Sequence, residues 1–107
     1  MRRGEVWWYE HPDFKRRPAV ILSPEEAIES IEEVYVVFAS TTIGGLPTEI
    51  ALGADEGMPS ACVLVADQID VADKVLLTKP ITALSTEKMT ELAQSLDPLS
   101  VPAARQG

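Results

Sequence analysis

A run of three basic residues contains the side chains of this sequence that are best suited to bind a phosphate group. Arg17 follows Lys15 and Arg16 and directly precedes the apolar segment 18–22. A guanidinium at the start of a strand can hold a phosphate through two parallel hydrogen bonds and neutralise negative charge that develops on it. The alternative is that all three cations are ordinary surface charges beside a loop.

Two polar segments further along the chain could complete such a site. Ser40, Thr41 and Thr42 follow an apolar stretch, and their hydroxyl groups can donate hydrogen bonds to phosphate oxygens or stabilise a turn. Asp67 and Gln68 follow a second apolar stretch, and the carboxylate could orient the arginine or a hydroxyl, or belong to an ordinary turn. Each segment alone is better explained by a local structural role, so the phosphate hypothesis requires that the segments meet in space.

Cysteine and histidine usage limits the other kinds of chemistry. The chain has one cysteine, Cys62, and one histidine, His11, which excludes an intrachain disulfide, a cysteine-rich zinc site and a histidine pair. Cys62 lies in an apolar stretch, where a free cysteine usually behaves as a small buried hydrophobe. His11 lies in a loop and is expected to face solvent, although it could approach Arg17. The sequence also lacks a phosphate-binding loop, a dinucleotide fingerprint and a histidine–glutamate zinc motif, so it predicts neither a cofactor nor a metal site.

The charge of the chain is unevenly distributed. The formal net charge is −8, which by itself argues against contact with a polyanion. Residues 1–18, however, hold five basic and three acidic residues, whereas the rest holds four basic and 14 acidic residues. A local basic patch on an acidic body is therefore consistent with the sequence, and so is a charge pattern that only keeps the protein in solution.

Several short strands are predicted to position these segments. Apolar and β-branched stretches between turn signals predict strands at residues 4–9, 17–22, 34–40, 48–52 and 61–66. Residues 75–77 and 81–84 form two further short strands or one strand bent around Pro80. Pro18 lacks an N–H donor and is expected at the start of its strand or on an edge.

Two helices are predicted, one after the second strand and one near the C-terminus. Ser23 as N-cap, Pro24 at the first helical position and Glu26 at the capping-box spacing predict the short helix, with an apolar stripe that extends to Ile31. Ser85 is predicted to cap a helix at residues 86–96 with apolar positions on one side. Together these elements favour a small, curled antiparallel β-barrel of the α+β class.

The length of 107 residues favours one domain, which we assign to residues 1–97. Two prolines and the lack of periodicity predict a disordered tail at 98–107. No apolar run approaches the roughly 20 residues that span a bilayer, and no signal peptide is visible. The sequence therefore predicts a cytoplasmic protein with no membrane partner.

Taken in order, these segments resemble the MazF/PemK/Kid family of toxin endoribonucleases of type II toxin–antitoxin systems. The resemblance covers about residues 2–97, and each motif is weak alone, whereas the order and spacing of the set are more specific. The segments that carry it are RGEVW at 3–7, RPAVILS at 17–23, VVFASTT at 36–42, LPTEI at 46–50, VADQ at 65–68 and LSTEKM at 84–89.

The resemblance implies an SH3-like barrel that cleaves single-stranded RNA, such as mRNA, without a metal and so inhibits translation and growth. It implies attack by the 2′-hydroxyl group, which leaves a cyclic phosphate and a free 5′-hydroxyl. Arg17 corresponds to the family's catalytic arginine, Ser40 to a threonine that contacts the scissile phosphate, and Asp67 to an aspartate near the site. We assign RNA binding to the neighbouring residues Lys15, Arg16, Thr41, Thr42 and Gln68. A homodimer and a cognate antitoxin protein are the implied partners.

Three departures from the family pattern and two other functions stay open. The first loop is short, serine replaces threonine at position 40 unless Thr41 takes that role, and Gln68 is followed by isoleucine and aspartate where arginine is common. A toxin of the CcdB kind, which inhibits gyrase, needs an aromatic residue after its last helix, and this chain has no tryptophan after Trp8. A catalytically inactive barrel that only binds partners is the other alternative.

Overall fold

Six antiparallel strands form one sheet in the computed structural model, which describes residues 1–41 and 49–96 apart from the side chains of Ala66, Asp67 and Leu96. The strands are β1 (Glu5–Tyr9), β2 (Arg17–Ile21), β3 (Glu33–Ser40), β4 (Glu49–Leu52), β5 (Cys62–Asp73) and β6 (Leu77–Ala83). Their spatial order is β4-β5-β3-β2-β1-β6. The helices are α1 (Glu25–Ile28) and α2 (Thr86–Leu96), and single 3-10 turns precede β5 and β6 at Ala54–Glu56 and Lys74–Leu76.

This architecture confirms the predicted α+β class, with a short helix after the second strand and a helix after the last one. Within the described part of the chain, the outer strands β4 and β6 do not pair with each other, so the sheet is open. The predicted barrel is therefore an approximate description of a curled sheet. The division into a domain at 1–97 and a tail at 98–107 stays a prediction, because residues 97–107 lie outside the described residues.

Each face of the sheet carries its own apolar core, because successive side chains of a strand point to opposite faces. The first core contains Val6, Val20, Val37, Leu64 and, from α2, Leu92. The second core contains Ala19, Ile21, Val34, Val36 and, from α1, Ile28. Leu92 is 1% exposed, so α2 covers the first-core face, whereas α1 covers the second.

The two helices differ in how well their predicted starts agree with the structure. Ser85 caps α2 as predicted, because its Oγ accepts a hydrogen bond from the Lys88 backbone N–H at 3.1 Å. The predicted capping box of α1 is wrong: Pro24 is the N-cap, and the buried Ser23 Oγ accepts from the Tyr35 backbone N–H at 2.9 Å. The Ser23 hydroxyl group, which the local pattern predicted to cap the helix, therefore accepts a hydrogen bond from β3 instead. The helix is also only four residues long, and Ile31 lies beyond it.

The β5 strand is twice as long as the predicted segment at 61–66 and contains a large bulge. Val37 pairs with Ile69, yet two residues later Ala39 pairs with Leu64. The β5 backbone at 65–68 therefore lies opposite a single residue of β3, Phe38. Asp67 and Gln68 belong to this bulged stretch of strand rather than to a turn, and such bulges are common next to active sites.

The open question about Pro80 resolves as a single strand. β6 runs through Pro80, which pairs with Trp7 of β1 at a register irregularity. β6 lies at the edge of the described sheet, where a proline is tolerated better than in a central strand. Among the described residues, no helix is long and apolar enough to cross a membrane.

Candidate nucleic-acid interface

Arg17, the first residue of β2, lies with its guanidinium on an aromatic ring. Its Cζ atom is 3.8 Å from the centroid of the Phe38 ring, on the second-core face. This contact follows from the register, because Ala19 is paired with Phe38 and Arg17 points to the same face as Ala19. Among the residues whose side chains the structure describes, no carboxylate forms an ion pair with Arg17.

Arg16 lies against a different ring, on the other face. Its Cζ atom is 4.2 Å from the centroid of the Trp8 ring. Trp8 alternates with Trp7 and Tyr9, which pack on the second core, and therefore shares the face of Val6 in the first core. The consecutive arginines thus straddle the end of the sheet, and each is held by an aromatic side chain.

Five of the eight predicted site residues line one cleft of about 490 Å³. Arg17 is the first residue of β2, and Lys15 and Arg16 directly precede it. Ser40 is the last residue of β3, and Thr41 follows it. The two segments meet because β2 and β3 are adjacent antiparallel strands, so the start of one lies beside the end of the other. The cleft is therefore lined by three basic residues and two hydroxyl-bearing residues.

The remaining three predicted residues are not placed in this cleft. Thr42 lies outside the described residues, and so does the side chain of Asp67. Gln68 is exposed in the bulge of β5 and is not among the residues that line the cleft. The bulge does bring the backbone at 65–68 opposite Phe38, the residue that carries the Arg17 guanidinium.

The lining of the cleft includes residues that sequence reasoning missed. Trp8, Met58, Pro59 and Ser60 contribute to it, together with Cys62. Residues 58–60 lie 18 or more positions from any predicted site residue of β3, and no motif marks them. The one usable signal was Trp8, an aromatic residue in the strand that precedes the basic run.

The surroundings of Cys62 and His11 do not indicate a nucleophilic role for either residue. Cys62 is 3% exposed in the first core, and burial, with a smaller effect of Glu56, raises the pKa of its thiol. The thiol is therefore neutral and less nucleophilic, as expected for a packed cysteine. The His11 ring contacts the rings of Tyr9 and Phe14, and Tyr9 packs against the second core. His11 is also half-buried rather than facing solvent as predicted.

The arrangement suits binding of a polyanion. In the described part of the chain, no cluster of three or more histidine, cysteine or acidic side chains could hold a metal ion. Guanidinium groups and hydroxyl groups in one cleft can bind phosphate oxygens, and the aromatic side chains offer flat apolar surfaces beside them. This combination is typical of sites that bind single-stranded nucleic acid.

Known toxins and probable endoribonucleases are similar to this chain in sequence. The model of the PemK-like, MazF-like toxins of type II toxin–antitoxin systems matches residues 2–99. The probable endoribonuclease MazF2 of Mycobacterium tuberculosis is 35% identical over 97 residues, which are 90% of this chain and 94% of that protein.

Solved structures show the same fold. The Mycobacterium tuberculosis toxin MazF-mt6 aligns with a TM-score of 0.77 and 25% identity, covering 86% of this chain and 91% of that one. A mycobacterial endoribonuclease in complex with its cognate antitoxin aligns with a TM-score of 0.79 and 22% identity, covering 95% and 97% of the two chains. The chain thus belongs to the family of PemK-like, MazF-like toxins of type II toxin–antitoxin systems.

Proposed function

We propose that the protein is an endoribonuclease toxin that cleaves single-stranded RNA at short sequences, without a metal, and so inhibits translation and growth. The observation that carries the proposal is the cleft that joins Lys15, Arg16 and Arg17 to Ser40 and Thr41. The endoribonuclease named among its relatives supports the same chemistry. Its place of action is the cytoplasm, where mRNA is translated.

In the proposed reaction the 2′-hydroxyl group of the RNA loses its proton to solvent and its oxygen bonds to the adjacent phosphorus. The bond from phosphorus to the 5′-oxygen breaks, and the 5′-oxygen takes up a proton from solvent. The products are a 2′,3′-cyclic phosphate and a 5′-hydroxyl. Negative charge grows on the phosphorus oxygens in the transition state, and the Arg17 guanidinium is charged at any working pH and shaped to bind two of them. Ser40 donates a hydrogen bond to the same phosphate, and Asp67 orients the arginine or the hydroxyl.

The decisive experiment compares Arg17 variants on a mixed RNA with EDTA present, while 5′-hydroxyl ends are mapped. Arg17→Ala is expected to slow cleavage by roughly a hundredfold or more, because preorganised charge stabilisation is usually a large catalytic contribution. Arg17→Lys restores only part of the rate, since an ammonium lacks the planar fork. Arg3→Ala is the matched control, because it removes the same charge from an exposed residue outside the cleft.

Two results would contradict the proposal at different levels. A folded Arg17→Ala protein that cleaves at the wild-type rate would remove Arg17 from the catalytic site. A wild-type protein that leaves RNA intact would exclude the ribonuclease and favour a toxin that acts by binding a protein, of the CcdB kind or as an inactive barrel.

An antitoxin is the proposed protein partner, as in the structural neighbour solved with its cognate antitoxin. We expect an acidic or extended antitoxin segment to cover the cleft, because residues outside 1–18 carry four basic and 14 acidic residues and repel an acidic peptide. Binding should weaken as salt rises, since exposed charge attraction is screened. Equal affinity for the wild type and the Arg16→Ala/Arg17→Ala protein, unchanged by salt, would place the antitoxin elsewhere.

A homodimer is the proposed assembly, and an exposed apolar stripe across β3 and β5 supports it. Tyr35 is 59% exposed, and its cross-strand partner Val71 is 44% exposed. Ile69, two residues before Val71, is 51% exposed. Contiguous exposed apolar side chains of this kind often mark protein interfaces. Tyr35→Lys should shift the protein to monomer in sedimentation equilibrium, and an unchanged mass would place the interface elsewhere.

A further inference from the structure

The loop between β1 and β2 presents one large apolar ring to solvent. Phe14 is 68% exposed and lies between two charged residues, Asp13 and Lys15. The loop nevertheless holds it in place, because the Phe14 backbone N–H donates to the His11 carbonyl oxygen at 3.2 Å. The Asp13 backbone N–H donates to His11 Nδ1 at 3.0 Å, which ties the same turn to the imidazole. The turn therefore presents an exposed aromatic ring from an ordered backbone.

The ring is the outer member of a row that leads to Arg17. The centroids of Phe14 and His11 are 4.8 Å apart, and His11 stacks on Tyr9 with centroids 6.2 Å apart and an interplanar angle of 27°. Tyr9 meets Phe38 edge-on at 5.0 Å, and the Arg17 guanidinium carbon lies 3.8 Å from the Phe38 centroid. The row therefore connects the exposed ring to the proposed phosphate-binding group.

Charge around the ring indicates the class of ligand. Phe14 is followed directly by Lys15, Arg16 and Arg17 in a chain that is otherwise acidic. These three basic residues attract a negatively charged ligand to the loop. The Phe14 ring offers such a ligand a flat apolar face. Unpaired nucleotides combine a flat base with a phosphate, and bases stack on exposed aromatic rings in single-strand binding sites.

We propose that Phe14 is a stacking platform for an unpaired base of the RNA substrate, a few nucleotides from the phosphate that Arg17 holds. The inference rests on the proposed function and adds a base-binding subsite to it. Stacking tolerates any base, so the platform adds affinity and fixes the path of the strand without selecting a sequence. Phe14 takes no part in bond breaking and acts on substrate binding.

The test measures binding of an RNA that cannot be cleaved, with 2′-O-methyl groups on every ribose and one 2-aminopurine base. Phe14→Ala and Phe14→Leu are expected to bind roughly ten- to hundredfold more weakly than wild type, and Phe14→Tyr to bind as wild type does. Quenching of 2-aminopurine on binding reports the stacking itself and should be lost with leucine. Val75→Ala is the matched control, because Val75 is an 84% exposed apolar residue away from the cleft.

Cleavage of unmodified RNA supplies a second readout. Phe14→Ala should raise KM by the same factor while kcat at saturating RNA stays unchanged, and circular dichroism confirms that the exposed substitution leaves the fold intact. Wild-type affinity in Phe14→Ala, or wild-type affinity and quenching in Phe14→Leu, would overturn the platform. So would a loss of antitoxin affinity in Phe14→Ala with unchanged RNA affinity, which would assign the ring to a protein partner.

The failure of the proposed function and the failure of this inference give different results. If the wild type neither binds nor cleaves RNA, the proposed function itself fails. If the wild type binds and cleaves RNA but the Phe14 variants do so equally well, only this inference fails.

Discussion

Replacement of Phe38 by leucine tests whether the ring under Arg17 sets the rate of the proposed reaction. Leucine keeps an apolar side chain beside the second core but removes two ring contacts, with the Arg17 guanidinium and with the edge of Tyr9. A cation–π contact at an exposed site is worth about 0.5–1 kcal/mol, and an aromatic pair about 0.5–1.5 kcal/mol. We therefore expect Phe38→Leu to lower the free energy of unfolding by about 1–2.5 kcal/mol.

The effect on the rate arises from the freedom that Arg17 gains. An arginine side chain carries about 2 kcal/mol of rotamer entropy, which the ring has already removed in the folded protein. In Phe38→Leu, the Arg17 side chain must lose this entropy when the transition state forms, which raises the activation free energy by at most about 2 kcal/mol. One tenfold change in rate corresponds to about 1.36 kcal/mol, so kcat should fall by a few-fold to about 30-fold.

The assay compares kcat and KM for a fluorogenic RNA at saturating and limiting concentrations. Phe38→Tyr is the matched control, because it keeps the ring and should retain nearly the wild-type kcat. In a double-mutant cycle, Phe38→Leu should change the residual rate little when Arg17 is already alanine, since Phe38 acts through Arg17. A wild-type kcat in folded Phe38→Leu, or an equal loss of rate in both backgrounds, would refute the positioning role.

Two further predictions concern stability. Burial raises the pKa of Glu5, but hydrogen bonds from the Trp7 indole and the Arg2 backbone N–H outweigh it, so folding lowers this pKa. The ionised Glu5 side chain therefore stabilises the protein at pH values above the pKa that Glu5 has in the unfolded chain. The difference in unfolding free energy between wild type and Glu5→Gln should be constant near neutral pH and should shrink as pH falls through the folded pKa of Glu5. A difference that grows in acid would contradict this. Gly57→Ala should lower the free energy of unfolding, measured in urea, by more than about 1–2 kcal/mol. Gly57 has a φ of +86°, and an added Cβ would lie 2.5 Å from Thr82 Oγ1. Unchanged stability would show that the turn relaxes freely.

Elements that depend on local interactions could be predicted from the sequence. The Ser85 cap and the helix at 86–96 follow from residues within one turn of each other, and the structure has them as predicted. The same pattern failed at Ser23, where the Tyr35 backbone N–H, 12 residues away, takes the hydroxyl. A capping motif records which bond is available locally, and it contains no information about a competing donor from another strand.

Pairing also decided the length of β5. The polar residues at 67, 68 and 70 ended the predicted strand near 66, yet pairing with β3 carries the strand to Asp73 through a bulge. Polar side chains on a strand are tolerated where they face solvent, and Gln68 and Asp70 are exposed. The sequence shows the change in polarity, but only the partner strand shows that the backbone continues.

For the candidate site, the sequence by itself determined the residue types, namely the basic run before Pro18 and the hydroxyl run from Ser40. The hypothesis of phosphate binding follows from these types. The tertiary structure decided that the two runs meet, because β2 and β3 pair in antiparallel register. It also decided that Arg16 and Arg17 lie on opposite faces, against Trp8 and Phe38. Neither fact can be derived from a one-dimensional pattern, since both depend on strand register and on which ring each guanidinium reaches across the sheet.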